Sequence, residues 1–178
     1  MLLFIDRIIQ KIKRQYRKNV FCKKINCKHK NISLVGNVTL INNNITIGEN
    51  VTLYPEVMFY GDGPIVIGDN VSIGNGTVIY ASKNGGITIG SGTMIAAQTY
   101  IIDCDHGTKA GKPVAEQENS VAAVNIGQDV WLGTNVTVLK GSNIKNGAII
   151  GAKALVKGEI PENAIAVGVP AKVLKYRE

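Results

Sequence analysis

The sequence predicts an all-β fold in which the chain winds as a parallel solenoid of stacked triangular coils, with one amphipathic α-helix ahead of it. Three observations predict the solenoid. From Ile126 every sixth residue is a branched aliphatic: Ile126, Leu132, Val138, Ile144, Ile150 and Val156. Four places after these stand small or slim residues, Val130, Val136, Ser142, Ala148 and Ala154. Glycines (Gly127, Gly133, Gly141, Gly147, Gly151) and asparagines (Asn135, Asn143, Asn146) fill positions near the turns. A fixed six-residue period of this kind marks a repeat architecture and governs every later reading of the chain.

Six residues suffice for one short strand and one tight corner. One aliphatic per strand points inward and stacks on its counterpart in the next coil. A slim residue fits the crowded corner, and Gly or Asn supplies backbone conformations that other residues resist. Three such sides close a coil of about eighteen residues that contacts only its neighbours. The composition agrees, with aromatics at 6% and an abundance of Ile, Val and Gly suited to a narrow aliphatic interior. A chain of 178 residues is enough for one domain with a sizeable core.

Three parts are expected: a basic N-terminal helix and arm over 1–30, the solenoid over 31–160 with a protruding loop at 103–124, and a C-terminal tail over 161–178. Residues 2–18 read as a helix, because Ile5, Ile8, Ile9, Ile12 and Tyr16 follow helical spacing while Arg7, Lys11, Arg14 and Lys18 lie elsewhere on the wheel. The net charge of +7 belongs to this arm: residues 6–30 hold ten of the twenty Lys and Arg against Asp6 alone, and the remainder is slightly acidic. Two roles suit such a helix: a cap packed on the end of the solenoid, or a helix lying on an anionic membrane surface. Nucleic acid is not an expected partner, since no recognition motif or interleaved aromatics accompany the charge. Cys22, Cys27 and His29 form C-x4-C-x-H, which lacks a fourth zinc ligand and the usual spacing, so no metal site is expected. The odd, sparse set of three cysteines (with Cys104) fits a reducing compartment, and the short apolar opening ends at Asp6, so a cytoplasmic protein is expected, with peripheral contact at the inner membrane face as its extension.

The lattice runs Val35, Ile41, Ile47, Leu53, Phe59, then Ile67, Ile73, Ile79, then Ile89, Ile95, Ile101, and resumes at Ile126. Intervals of 8, 10 and 25 residues replace six at Phe59–Ile67, Ile79–Ile89 and Ile101–Ile126. With the sides numbered from Val35, all three insertions fall between side two and side three. Three loops therefore emerge from one corner in successive coils, about 4.8 Å apart. Loops on a rigid scaffold are where function concentrates. The first carries Asp62 and the second follows Tyr80 with Ser82, Lys83 and Asn84, which are the expected substrate contacts. The third carries Asp103, Cys104, Asp105 and His106. Imidazole suits general-base work near neutral pH, and a flanking carboxylate can fix its tautomer.

Three segments carry a family resemblance: Ile-Ile-Asp-Cys-Asp-His-Gly at 101–107, Ile-Gly-Gln-Asp-Val-Trp-Leu-Gly at 126–133, and the run from Ile160 through Gly-Val-Pro-Ala to Lys172. They resemble the hexapeptide-repeat acyltransferases, and among them the galactoside, maltose and polysaccharide O-acetyltransferases, especially the branch associated with capsule and lipopolysaccharide synthesis. The resemblance covers about residues 35–176. It implies a left-handed parallel β-helix and a homotrimer with active sites between subunits. It also implies acetyl-CoA as donor and a sugar or glycan hydroxyl as acceptor. His106 matches the catalytic histidine and Trp131 a tryptophan lining the cleft. Gly133, Thr134 and Ala152 match positions along the CoA arm, and Lys172 and Lys175 match basic positions near the CoA phosphates. Relatives often read V-T-K-D-I-P where this chain has Val156-Lys-Gly-Glu-Ile-Pro161; Lys157, one place displaced, is included with the phosphate-facing group. Galactoside and maltose enzymes carry an asparagine in the preceding coil where Gly76 and Val78 fall here, which favours the polysaccharide branch.

The expected mechanism is direct transfer. His106 takes the hydroxyl proton as the oxygen attacks the thioester, with Asp103 or Asp105 orienting the imidazole and Cys104 a bystander. The rival reading is N-acetylation of an amino sugar, since one base serves both acceptors. A zinc carbonic anhydrase would need three histidine ligands, and this chain has two histidines. A purely structural solenoid would not need a D-x-D-H loop on its one elaborated edge.

Overall fold

The structure is a computed structural model that describes residues 2–25 and 31–178; Cys27 and His29 of the C-x4-C-x-H segment lie outside them. Among the described residues, three stacked sheets of eight, six and six strands form the sides of a triangular solenoid. Neighbouring coils pair in parallel and in register, as in Phe59 beside Ile79 and Ile79 beside Ile101 on side two. The inward residues Leu53, Ile73, Leu132, Phe59, Ile79, Ile101, Ile67, Ile89 and Ile126 are fully or almost fully buried in one continuous core. Burying each such side chain contributes about 1.5–3 kcal/mol, which is how strands of two or three residues persist without longer ladders.

Two corners of the triangle are uniform. From Ile47 onward, three residues after the inward aliphatic the backbone turns with positive φ: at Asn50, Asn70, Gly92, Asp129, Gly147 and Asn163 between sides three and one, and at Glu56, Gly76, Gln98, Asn135 and Lys153 between sides one and two. A non-glycine residue in this conformation costs about 1–2 kcal/mol, which repeated stacking must offset. Asparagine tolerates this conformation better than most residues, and here its side chains also form a ladder between coils: the Asn31 amide donates to Asn50 (2.8 Å) and the Asn50 amide to Asn70 (3.2 Å). The next residue is the slim one. Where it is Thr77, Thr93 or Thr99 the buried hydroxyl donates to a main-chain carbonyl, of Ala96, Gly127 and Ala96 respectively.

The third corner absorbs all the irregularity. Inward residues on sides two and three are separated there by 7, 8, 10, 25, 6 and 4 residues in successive coils, while the other two corners take six every time. The first of these intervals corrects the expected lattice. Val35 and Ile41 face outward (47% and 56% exposed), and Leu34 and Leu40 occupy the inward register. The extra residue is Asn42, buried at this corner, whose amide donates to the Gly63 and Tyr60 carbonyls and accepts from the Asn44 N–H.

Helix α1 spans Leu2–Lys24, six residues beyond the expected stop. It meets the first coil through its C-terminal half: Phe21 and Ile25 are buried, and the Arg14 guanidinium donates to the Ser33 hydroxyl. At the other end side one continues through Ala164–Val167, past the boundary expected at 160. Lys172–Tyr176 then folds back antiparallel on that strand, and the Arg177 guanidinium ties it to Asp129 (2.9 Å) and the Gly147 carbonyl (2.8 Å).

Because each coil is held by its neighbours, Ile79→Ala in the middle of the stack is expected to lower unfolding free energy by about 2–5 kcal/mol. Thr46→Ala on the outer face of side three is expected to stay within about 0.5 kcal/mol. Urea denaturation of both variants measures the difference.

Candidate active site

The loops after side two stack at the irregular corner, and one buried carboxylate joins the second to the third. Inward and outward positions alternate along a strand, so Asp103 follows Ile101 to the inside. It is fully buried. Its Oδ1 accepts the Ser82 N–H at 2.8 Å, and its Oδ2 accepts the Gly86 N–H at 2.7 Å and the Ser82 N–H at 3.0 Å. Its carbonyl accepts the Ala122 N–H at 2.9 Å. Gly85 permits this approach, since a Cβ there would overlap the Asp103 carboxylate and the Val121 side chain.

Beyond Asp103 the third loop leaves as an antiparallel ribbon, Cys104–Asp105 against Ser120–Val121. Lys140, from the next coil, clamps its base. The ammonium lies 3.3 Å from the Asp105 carboxylate and donates to the Ser120 hydroxyl at 2.6 Å. The excursion is then built around Gln117. Its amide accepts the Lys109 N–H (2.8 Å) and donates to the carbonyls of Lys109 (3.0 Å) and Lys112 (2.8 Å). His106 is exposed on the wall of a cavity of about 780 Å³, which Asp105, Lys140, Ser120 and the Gln117 turn also line.

The expectation that Asp103 orients the imidazole therefore meets a carboxylate already occupied by backbone N–H groups. Asp105 faces Lys140. Among the described residues, neither carboxylate has a hydrogen bond or ion pair to His106. Asp103 instead fixes the strand from which the loop of His106 departs. Cys104 is buried beside it. Burial pushes its thiol up, and the Asp103 carboxylate adds to the shift; the neighbouring Ser82 hydroxyl opposes it.

The other expected residues fall into two groups. Asp62, Ser82, Lys83 and Asn84 lie on the first two loops of the same corner as His106. Tyr80 enters that corner, stacked between Tyr60 and Ile102 on the outer face of side two. Lys157 is exposed at the same corner two coils beyond the third loop. Trp131, Gly133, Thr134 and Ala152 lie on side one and the corner that follows it. Trp131 is half exposed in a column Met94, Trp131, Ile149, Ile165, Lys175. Gly133 sits so near the next coil that a Cβ would stand 2.6 Å from the Ala152 N, and the Thr134 hydroxyl donates to the Ala97 carbonyl at 3.0 Å. Lys172 pairs with Val167 on the returning strand. A triangle's side lies opposite one of its corners, and side one lies opposite the corner of His106. One chain therefore does not bring the two groups together.

Sequence reasoning missed Lys140 and Gln117. Lys140 had a signal: it follows Val138 by two places as Asp103 follows Ile101, and those aliphatics are register partners. Gln117 lies in a segment without period and had none.

Removing the Asp103 carboxylate leaves two partly buried N–H groups without that partner. Asp103→Ala is expected to destabilise by about 1–3 kcal/mol per orphaned group and Asp103→Asn by less. Amide exchange at Ser82 and Gly86 should quicken in proportion. Because the folded state raises the Cys104 thiol, it holds that proton more tightly than the unfolded chain does. Stability is therefore expected to fall as pH rises through the ordinary thiol range. Alkylation of the Cys104 peptide, followed by mass spectrometry, should lag a free thiol across the same range.

No family model matches the chain. It is 40% identical over 124 residues to WbbJ of Escherichia coli strain K12, named as a lipopolysaccharide biosynthesis O-acetyl transferase; the match takes in 65% of this chain and 62% of that protein. Less than two thirds of that relative's length is thus spanned. Among solved structures, a maltose O-acetyltransferase from Clostridium difficile 630 superposes with a TM-score of 0.63 at 26% identity, over 92% of this chain and 76% of that one. A mutant of AntD, an N-acyltransferase from Bacillus cereus in complex with dTDP-4-amino-4,6-dideoxyglucose and coenzyme A, superposes with a TM-score of 0.76 at 22% identity, over 90% and 89% of the two chains. In its six-residue repeat and its stacked coils the chain shares the solenoid fold of these solved structures, and in sequence it is similar to WbbJ.

Proposed function

We propose that this protein transfers an acetyl group from acetyl-CoA to a sugar hydroxyl in the synthesis of a surface glycan, with His106 as general base. The observation that carries the reading is His106 itself: an exposed imidazole on a cavity wall, on a loop that leaves the solenoid from a strand clamped by Asp103 and Lys140. The named roles of WbbJ and of the Clostridium enzyme support O-transfer to a sugar.

The bond changes are simple. The acceptor oxygen bonds to the thioester carbonyl carbon and the carbon–sulfur bond breaks. His106 takes the hydroxyl proton and passes it to the departing sulfur. Asp103 is a positioning residue in this scheme, and Lys140 with Asp105 holds the mouth of the loop. The raised Cys104 thiol is a poor nucleophile, which supports direct transfer over an acyl-cysteine. For the donor, the strip of small residues along Gly133, Gly151 and Ala152 offers a backbone-lined surface for an extended arm. Lys172 and Lys175 on the returning strand are candidates for its phosphates, and Lys157 at the other corner is a further one. Acceptor contacts are assigned to Asp62, Tyr80, Ser82, Lys83 and Asn84. Since donor-side and His106-side residues lie on opposite faces of one chain, the reading requires a site completed by a neighbouring copy, in keeping with a homotrimer. The AntD complex, with an amino sugar nucleotide on the same fold, keeps an amine acceptor as the second reading.

Release of CoA thiol from acetyl-CoA, measured with a panel of sugars, amino sugars and glycan fragments, tests both readings. Acceptor-dependent release should fall at least about 100-fold in His106→Ala. Cys104→Ala should retain it. Release with amines alone would replace O-transfer by N-transfer, and an unchanged His106→Ala rate would remove the assignment of the base.

A further inference from the structure

We propose that α1 is a membrane-docking helix, which lays its apolar stripe into the surface of an anionic bilayer while the solenoid stands off that surface. The stripe is Ile5, Ile8, Ile9, Ile12 and Tyr16, each between 42% and 70% exposed. A core-packed helix would bury these residues; here none of them enters the core. The reason is the direction in which the helix is held. At 100° per residue, Phe21 lies roughly 160° around the helix from the centre of the stripe. Phe21 and Ile25 are the residues buried against the first coil, and Arg14, beside Phe21 on the wheel, bonds Ser33. The solenoid thus grips α1 by the side opposite its apolar stripe and presents that stripe outward.

Charge selects the occupant. Within α1, eight Lys and Arg face the single acid Asp6, and Lys11 and Lys13 flank the stripe on its two sides. An anionic lipid surface satisfies both features at once, the apolar side chains entering the acyl boundary and the basic ones meeting headgroups. A second copy of the chain offers no such complement: its own α1 carries the same positive charge, and the rest of the chain has twelve bases against twelve acids, with no run of acid to receive the helix. Among the described residues no helix is long and apolar enough to cross a membrane, so α1 lies in the interface rather than spanning it.

Co-flotation of the full chain with vesicles tests this independently of any transferase activity. Wild type should float with vesicles of phosphatidylcholine mixed with phosphatidylserine and stay behind with phosphatidylcholine alone. Raised salt should weaken the binding. The double substitution Ile8→Glu with Ile12→Glu should lower partitioning at least about tenfold, since each charge replaces a side chain that would lie in the acyl boundary. Its thermal midpoint should not change, because neither residue packs on the solenoid. Lys11→Glu with Lys13→Glu should remove the preference for the anionic lipid. The proposal is overturned if wild type does not float with the mixed vesicles, if the isoleucine variant floats as well as wild type, or if both vesicle types bind equally. It is also overturned if wild type fails to float while the isoleucine variant changes size in gel filtration, which would assign the stripe to another copy of the chain.

Discussion

Everything in this molecule depends on one constraint, that the inward aliphatic of each side must sit directly over its counterpart in the coil below. That stacking fixes the interval of six at two corners. It forces a positive φ three residues on, and it leaves room only for Val, Thr, Ala or Ser at the position after that. Glu56, Gln98 and Lys153 adopt the left-handed conformation without being the residues best suited to it. Their presence measures the strength of the stacking: about 1–2 kcal/mol of local preference is overridden at each.

The candidate site inherits its rigidity from the same stack. Asp103 sits one strand alternation beyond Ile101 and so points into the stack at the corner. There it converts a break in the sheet into three hydrogen bonds with the loop of the coil before. Lys140, one coil later, holds the two strands that leave. The exposed His106 is thus anchored from the coil behind and the coil ahead, although its own loop contains no core residue between Asp105 and Ser120. A long excursion positioned from both neighbouring coils can present a side chain repeatedly in one place, which general-base chemistry requires.

Much of this was legible in the sequence because the period is strict. The three sides, the slim corner positions and the convergence of three loops on one corner all follow from counting sixes. The count misled where two aliphatics stand side by side: Leu34–Val35 and Leu40–Ile41 each offer a plausible inward residue, and only the extra Asn42 decides between them. The role of Asp103 was misread for a different reason. Adjacency in D-x-D-H suggested a partner for the imidazole, whereas alternation along the strand sends Asp103 inward, away from His106. The orientation of α1 was not decided by the sequence, which allowed its apolar face either to pack on the solenoid or to lie on a membrane surface. The contact made through Phe21 and Ile25 turns that face outward.

The confinement of all irregular spacing to a single corner has a consequence for how such proteins diversify. Loops of one, two, four and nineteen extra residues have been accepted there while the sheets on either side kept their pairing. Insertion at that corner is therefore nearly decoupled from foldability, and the same edge carries the candidate acceptor contacts. Under the proposed function, a lineage built on this frame can exchange one acceptor for another by editing a margin of the molecule, leaving the inherited column of Ile, Leu and Val untouched.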